Sequence, residues 1–256
     1  MNKLQQAFSG GKAFIPFVTA GDPSIEITER LVLEMAKAGA NLIEIGIPFS
    51  DPVAEGPVIQ AADYRALAGG VTTDKIFAMV RRIRQSCHVP LALMTYINPV
   101  FTYGVEKFMN NCREAGIEAL IVPDMPFEEK TELQPFCEQY DVELISMISP
   151  TSQNRIRMIS REARGFIYCV SSLGVTGVRQ EIGDDVEEMV KIAKESNDIP
   201  CAIGFGVSTP EQAARLAKFS DGVIVGSAIV KIVEQYGVEC VPHVVDYVRK
   251  MKQAIQ

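Results

Sequence analysis

Two acidic side chains near the start of the chain could perform general acid–base chemistry. The first, Glu44, lies in an alternating segment, residues 41–47 (NLIEIGI), whose period of two places Leu42, Glu44 and Gly46 on one face and isoleucines on the other. We expect the isoleucine face to meet helices, so that Glu44 points into the interior of the fold. Apolar neighbours would raise its pKa there and suit it to proton transfer. The alternative is a structural glutamate paired with a lysine or arginine.

The second acid, Glu55, lies with Asp51 in the loop that follows, residues 48–57 (PFSDPVAEGP). Prolines stiffen this loop, which favours fixed side-chain positions. We therefore expect both acids to lie above the mouth of a site. Asp-Pro and Gly-Pro are also ordinary turn formers, so a solvated surface turn is the alternative.

Glycine-rich turns occur at residues 174–177 (GVTG), 204–206 (GFG) and 226–227 (GS), and the last opens a helix. Glycine lets backbone N–H groups approach an anion closely, and a helix N-terminus adds the positive end of a dipole. Together the turns predict a phosphate site built from backbone donors and Ser227. Each glycine taken alone could simply end a strand.

Aromatic side chains fall late in three β-branched runs, at Phe17, Tyr96 and Tyr168. They could line an apolar pocket for a flat ring, although core packing is the alternative for each. Carboxylates, an anion site and aromatic side chains together indicate acid–base chemistry on a phosphorylated, partly aromatic substrate.

The elements that must position these groups repeat along the chain, because short β-branched runs alternate with segments of helical period. The predicted strands are residues 14–19, 42–47, 91–96, 119–123, 143–148, 165–170, 200–203 and 222–225. This repetition predicts a single α/β domain over residues 1–256, a closed (β/α)8 TIM barrel with reactive groups at the carboxyl ends of its strands. An open doubly wound sheet is the alternative.

Helical patterns fill the gaps between the predicted strands. Residues 25–38 and 74–85 are amphipathic, and Thr73 is expected to open the second. Two helical segments are additional to the repeat, residues 4–8 at the N-terminus and residues 58–67 after the second strand. Barrels often carry such insertions.

Composition excludes several classes of protein. A hydrophobic content of 47% excludes disorder, and a net charge of −7 argues against nucleic acid as a partner. No apolar run approaches the length of a membrane helix, and the six cysteines form no C-x-x-C pair, so we expect a cytoplasmic protein with reduced thiols. With two histidines far apart, no metal site is expected.

The motifs resemble one enzyme family over essentially the full length. They are residues 14–23 (FIPFVTAGDP), 44–52 (EIGIPFSDP), 56–60 (GPVIQ), 174–177 (GVTG), 204–206 (GFG) and 226–231 (GSAIVK). They are similar to those of the tryptophan synthase alpha subunit family. The resemblance implies retro-aldol cleavage of indole-3-glycerol phosphate to indole and glyceraldehyde 3-phosphate, with no cofactor in this subunit.

The resemblance also implies roles for individual residues. Glu44 matches the family's catalytic glutamate, and Glu55 stands where the family more often has an aspartate that meets the indole N–H. The extra methylene changes the reach of this carboxylate, and we expect the loop to compensate so that Glu55 serves. The matching substrate-binding positions are Phe17, Tyr96, Tyr168, Thr176, Gly177, Phe205, Gly206, Gly226 and Ser227, with Thr176 in a lid formed by residues 171–185.

A partner is implied in the same way: a pyridoxal-phosphate-dependent beta subunit, assembled as alpha2beta2, that receives indole. Asp51 matches a residue that signals to it, although a turn or helix-capping role is the alternative. Another phosphate-binding barrel, such as a sugar-phosphate isomerase or indole-glycerol-phosphate synthase, would be expected to place catalytic lysines at strand ends, and none of the predicted strand ends has one. A catalytically weak activator of the beta subunit is the remaining alternative.

Overall fold

The computed structural model describes residues 3–171, 184–204 and 206–256. Its strands are β1 (Ala13–Thr19), β2 (Ile43–Gly46), β3 (Leu91–Met94), β4 (Ala119–Ile121), β5 (Glu143–Leu144), β6 (Ser146–Ile148), β7 (Ile167–Val170), β8 (Cys201–Gly204) and β9 (Gly222–Val225). All pairings in the sheet are parallel, in the order β5-β4-β3-β2-β1-β9-β8-β7-β6.

The barrel closes through a single extended segment. Strands β5 and β6 at the two ends of the sheet order are consecutive along the chain, with only Ile145 between them. The predicted strand 143–148 is therefore one strand of the barrel, whose first half pairs with β4 and whose second half pairs with β7. This closure confirms the (β/α)8 barrel and is incompatible with an open doubly wound sheet.

Helices surround the sheet. They are α1 (Lys3–Ser9), α2 (Ile25–Lys37), α3 (Pro57–Ala68), α4 (Thr73–Arg84), α5 (Ile97–Tyr103), α6 (Val105–Ala115), α7 (Gln134–Tyr140), α8 (Gln153–Glu162), α9 (Asp184–Ser196), α10 (Pro210–Ala217), α11 (Ser227–Tyr236) and α12 (Cys240–Ala254), with short 3-10 helices at Phe127–Glu132 and Gly237–Glu239. The two extra helices predicted from the sequence are α1 and α3. None of the helices within the described part of the chain has the length and apolarity to cross a bilayer.

Side-chain caps fix where several helices begin. Ser24 caps α2, and Thr209 with Gln212 forms a reciprocal capping box on α10. The prediction that Thr73 opens α4 was wrong by one position. Thr72 has the extended backbone and accepts the hydrogen bond from Lys75 N, and Thr73 is the first helical residue, because adjacent threonines offer two equivalent cap hydroxyls and only the backbone geometry selects one.

Alternation along the strands separates two apolar cores. Ile43, Ile45 and Ile47 belong to the outer core between sheet and helices, whereas Leu42 belongs to a smaller core inside the barrel. The inner core also contains Phe17 and Tyr168. The predicted orientation of the second strand is therefore confirmed.

A buried ion pair ties the extra helix α3 to the barrel mouth. Arg65 donates two hydrogen bonds to the carboxylate of Asp22, at 2.9 and 2.8 Å, and a third at 3.1 Å to Glu234 of α11. The Asp22 side chain is only 3% exposed, so it depends on Arg65 for its charge compensation.

We expect Arg65→Ala to lower the free energy of unfolding by about 2–3 kcal/mol, because it leaves the Asp22 carboxylate buried without its cation. Urea denaturation would measure this. The matched control is Lys250→Ala, which removes an exposed pair with Asp246 and should cost less than about 0.5 kcal/mol. Equal losses in the two variants would contradict the structural role of the Arg65 pair.

Candidate active site

A cavity of about 370 Å³ opens among the carboxyl ends of the strands. Seven of the side chains or glycines predicted from the sequence line it: Phe17, Glu44, Glu55, Tyr168, Gly206, Gly226 and Ser227. Apolar side chains complete much of the wall, among them Val58, Ile59, Met94 and Ile224. The arrangement suits a ligand with one flat apolar part and a few polar groups.

Glu44 is buried in this cavity without a charge partner. Its side chain is 1% exposed, and neither carboxylate oxygen has a hydrogen-bond partner within the described part of the chain. Loss of solvation, and to a lesser degree the nearby Glu55, raises the pKa of Glu44 to about 8. Pairing with a lysine or arginine, the alternative considered from the sequence, is not observed. At neutral pH this carboxyl group holds a proton that it can donate.

Glu55 is also buried, with 7% of its surface exposed. Burial raises the pKa of Glu55 to about 7, and the neighbouring Tyr96 hydroxyl and Asp63 carboxyl group oppose this increase. The Oε2 atom of Glu55 is buried and makes no hydrogen bond. Glu55 lines the cavity, so its carboxyl group can accept a hydrogen bond from a ligand.

Tyr96 lies behind the cavity wall. Its side chain is 2% exposed, its hydroxyl accepts a hydrogen bond from Ala54 N at 3.0 Å, and its ring packs on Phe49 with centroids 5.3 Å apart. Tyr96 therefore links the end of β3 to the loop that carries Glu55.

Sequence reasoning missed Asp63, a further buried acid that is 4% exposed. It lies on the buried face of α3 with Ile59, Ala62 and Ala66, so a charged residue in a helical apolar stripe was the available signal. Burial, and after it the neighbouring Glu55, raise the pKa of Asp63 to about 8.

Two strand glycines make room for the aromatic rings. A Cβ atom on Gly46 would lie 2.6 Å from Cζ of Phe17, and one on Gly204 would lie 2.6 Å from the Tyr168 hydroxyl. Such distances are shorter than any van der Waals contact, so a side chain at either position would displace the ring. Gly46 and Gly204 therefore set the positions of two rings that line the cavity.

The far end of the cavity is the N-terminus of α11. Gly226 is the N-cap, Ser227 is the first helical residue, and Gly206 lies nearby with a φ of 76° that favours glycine. The first backbone N–H groups of a helix have no partner within it, so they can bind an anion. Lys231 lies one turn further along α11, is exposed and also lines the cavity. The sequence analysis missed it because the only donors it expected were backbone N–H groups and Ser227.

Asp51 lies apart from this cavity. It is exposed and accepts a hydrogen bond from the Ser50 hydroxyl at 2.5 Å. The two acids of the loop therefore point in different directions, Glu55 into the site and Asp51 into solvent. Thr176, Gly177 and Phe205, together with most of the predicted lid, lie outside the described residues.

Within residues 3–171, 184–204 and 206–256, no group of three or more His, Cys, Asp or Glu side chains is arranged to hold a metal ion. The six cysteines are buried and unpaired.

Comparison with known proteins gives one consistent result. The family model described as tryptophan synthase alpha chain matches residues 3–256. The chain belongs to the tryptophan synthase alpha chain family. The tryptophan synthase alpha chain of Lacticaseibacillus casei is 47% identical to this chain, and the match covers 91% of this chain and 88% of the relative. The tryptophan synthase alpha chain of a Thermoanaerobacter species is 44% identical over the full length of both chains. The chain is accordingly an enzyme of a lyase family.

Solved structures agree with this assignment. The alpha subunit from Legionella pneumophila superposes with a TM-score of 0.89 at 36% identity, covering 100% of this chain and 98% of its own. A chain from a Pyrococcus furiosus structure described as the tryptophan synthase a2b2 complex superposes with a TM-score of 0.88 at 34% identity. The match covers 95% of this chain and 99% of the other. These neighbours confirm the barrel.

We expect Glu44→Gln to stabilise the folded chain, and more so at pH 8 than at pH 5. The pKa of Glu44 is about 8 in the folded chain and 4.5 in the unfolded chain. Its contribution to the free energy of unfolding is therefore complete below pH 4.5 and is lost as the pH rises towards 8. A glutamine side chain does not titrate, so the variant keeps its stability as the pH rises through this range. Thermal unfolding should give a Tm at least about 2 °C above the parent at pH 8. A difference that is independent of pH, or a lower Tm at pH 8, would contradict an unpaired Glu44.

Proposed function

We propose that the chain cleaves indole-3-glycerol phosphate to indole and glyceraldehyde 3-phosphate by a retro-aldol reaction. The observation that carries this proposal is the position of Glu44, buried, unpaired and inside the cavity that ends at the N-terminus of α11. A substrate with its phosphate at α11 and its ring among the apolar side chains would bring its reacting carbon towards this carboxyl group. We propose that residues 1–256 act as one domain and use no cofactor of their own.

Glu44 would act first as an acid and then as a base. Its raised pKa keeps it protonated, so it can donate a proton to C3 of the indole ring and create a positive charge on the ring. The resulting carboxylate then accepts the proton of the glycerol hydroxyl on the carbon attached to C3. As that hydroxyl becomes the aldehyde carbonyl, the carbon–carbon bond breaks, and its electron pair restores the neutral indole. Glu44 ends with the proton it began with.

Glu55 would stabilise the charged intermediate. Its carboxyl group lines the cavity and would accept a hydrogen bond from the ring N–H, an interaction that strengthens as the ring becomes positive. Tyr96 would contribute by holding the loop rather than by touching the substrate, and Phe17 and Tyr168 would contact the organic part of it.

Gly206, Gly226 and Ser227 would bind the phosphate, and the resemblance of Thr176, Gly177 and Phe205 to family positions supports their assignment to the same site. The loop containing Thr176 would close over the substrate and exclude water.

A beta subunit carrying pyridoxal phosphate is the proposed partner. Two apolar side chains are exposed in segments that follow strands at the barrel mouth, Val53 at 72% and Phe101 at 48%. Exposed apolar groups of this kind are typical of interaction surfaces, and the exposed Asp51 lies in the same loop as Val53. Asp51 would respond to the partner. We propose that the chain acts in the cytoplasm, where this biosynthetic chemistry takes place.

The direct test measures indole released from indole-3-glycerol phosphate by the purified chain, with and without a beta subunit. We expect Glu44→Gln to reduce kcat by about 10³-fold, since it removes the proton donor, and Glu55→Ala to reduce it by about 10²-fold. If Glu55→Ala leaves the rate nearly unchanged while Glu44→Gln abolishes it, the role of Glu55 is wrong. Activation of the beta subunit without any indole release would favour the activator alternative.

The pH dependence of kcat/KM follows from the proton that Glu44 must carry. We expect kcat/KM to fall as the pH rises through about 8, because the free enzyme then loses the acid that protonates C3. Stopped assays across pH 6 to 10 would measure this limb. A rate that increases through pH 8 would show that Glu44 enters the reaction as a base.

A further inference from the structure

We propose that Tyr247 on α12 is a positioning residue for phosphate binding. Its hydroxyl group fixes the turn after β8, residues 206–209, so that Gly206 keeps its backbone N–H in place for the phosphate group. This inference rests on the proposed function, since it assigns how the same site recognises a phosphate ester. It adds a residue from a third helix to a site otherwise built from the turn and α11.

Tyr247 lies in the wall of the cavity, at the end formed by α11. The half-buried side chain lines this end together with residues of the turn and of α11, namely Gly206, Ser208, Ser227 and Lys231. Helix α12 packs on both α10 and α11, the helices that follow β8 and β9. The tyrosine therefore reaches both sides of the proposed phosphate site from outside it.

The hydroxyl group of Tyr247 is committed to the turn. It donates a hydrogen bond to the carbonyl oxygen of Ser208 at 2.9 Å, between residues 39 positions apart in the sequence. A tyrosine hydroxyl has one proton, so this bond uses the only proton that the group can donate. Tyr247 consequently acts on a bound phosphate through the turn and not as a donor to it.

Helix α10 holds the other polar group of the same residue. The Oε1 atom of Gln212 accepts hydrogen bonds from the backbone N–H groups of Ser208 and Thr209, at 2.9 and 3.2 Å. Ser208 is thus held at its N–H by α10 and at its carbonyl oxygen by α12. Anchors from two helices on the two polar backbone groups fix the orientation of the turn.

The turn needs such anchors because it begins with a glycine. Gly206 lies two residues before Ser208, lines the cavity and has a φ of 76°. Glycine has the greatest backbone freedom of any residue, and ordering it only when a ligand binds would reduce affinity by the entropy lost. The anchors on Ser208 supply this order before the phosphate arrives.

The test compares variants of the full chain. Tyr247→Phe removes the hydroxyl and keeps the ring in the cavity wall, and Gln212→Leu releases the turn from the opposite side. The matched control is Tyr140→Phe, which removes a hydroxyl that donates to Glu106 at 3.4 Å, on α7 and outside this cavity. Circular dichroism would verify folding. Tyr247→Phe decides the question by itself if loss of the Gln212 cap unfolds the other variant.

The first readout is binding. Calorimetry would measure Kd for inorganic phosphate, for 3-(indol-3-yl)propyl phosphate and for 3-(indol-3-yl)propan-1-ol, which has the same ring and chain without the phosphate. We expect Tyr247→Phe and Gln212→Leu to bind the two phosphate-bearing probes about three- to tenfold more weakly, the effect of one hydrogen bond, and the alcohol within about twofold of the parent. Tyr140→Phe should bind all three probes like the parent.

The second readout separates KM from kcat in the cleavage of indole-3-glycerol phosphate. The turn holds the phosphate, whereas Glu44 on β2 performs the proposed chemistry, so Tyr247→Phe weakens the bound substrate and the transition state equally. We expect KM to rise about three- to tenfold while kcat stays within about twofold of the parent. A purely structural role of the hydroxyl would weaken the alcohol and the phosphate-bearing probes alike.

Unchanged binding of both phosphate-bearing probes by Tyr247→Phe would overturn the inference, as would an equal loss for the alcohol. A parent chain that binds neither phosphate-bearing probe would also overturn it, since the turn would then meet no anion. Failure of the proposed function is recognised separately, as absence of Glu44-dependent indole release from the parent chain. The binding comparison requires no turnover and decides the role of Tyr247 in either case.

Discussion

The site depends on one unfavourable placement, a carboxyl group buried inside the barrel without a cation. Among the residues that the structure describes, Glu44 meets no lysine, arginine or hydrogen-bond donor, and burial raises its pKa to about 8. The closed barrel makes this possible because its strands are hydrogen-bonded on both sides and its outer face is covered by helices. The stability of that framework offsets the cost of an unpaired polar group in the interior.

The acids of the site have different surroundings, and this separates their roles. Glu44 has no polar neighbour that stabilises its charge, whereas Glu55 has the Tyr96 hydroxyl and the Asp63 carboxyl group beside it. The first is therefore the better acid–base group, and the second is the better electrostatic acceptor. We propose that the two glutamates serve different steps because their solvation and hydrogen bonding differ.

Helix α3 connects the catalytic end of the molecule to its framework. Its N-terminus follows Glu55 directly, its buried face carries Asp63, and its Arg65 binds Asp22 in the loop after β1. The same helix contacts α11, whose N-terminus forms the far end of the cavity. Through these contacts the two ends of the cavity are held at a fixed separation, which the proposed acid–base chemistry on a bound substrate requires.

The sequence by itself determined the barrel, the inward direction of Glu44 and the cluster of glycines at α11, because strand alternation and strand-end turns are local patterns with a fixed period. It did not determine which side chains from different elements meet. That Asp63 on α3 lies against Glu55, that Tyr96 supports the loop from behind, and that Asp51 points into solvent all depend on how the rigid loop 48–57 crosses the mouth and how α3 packs. These contacts join residues of separate elements, and packing, which no local period encodes, decided them.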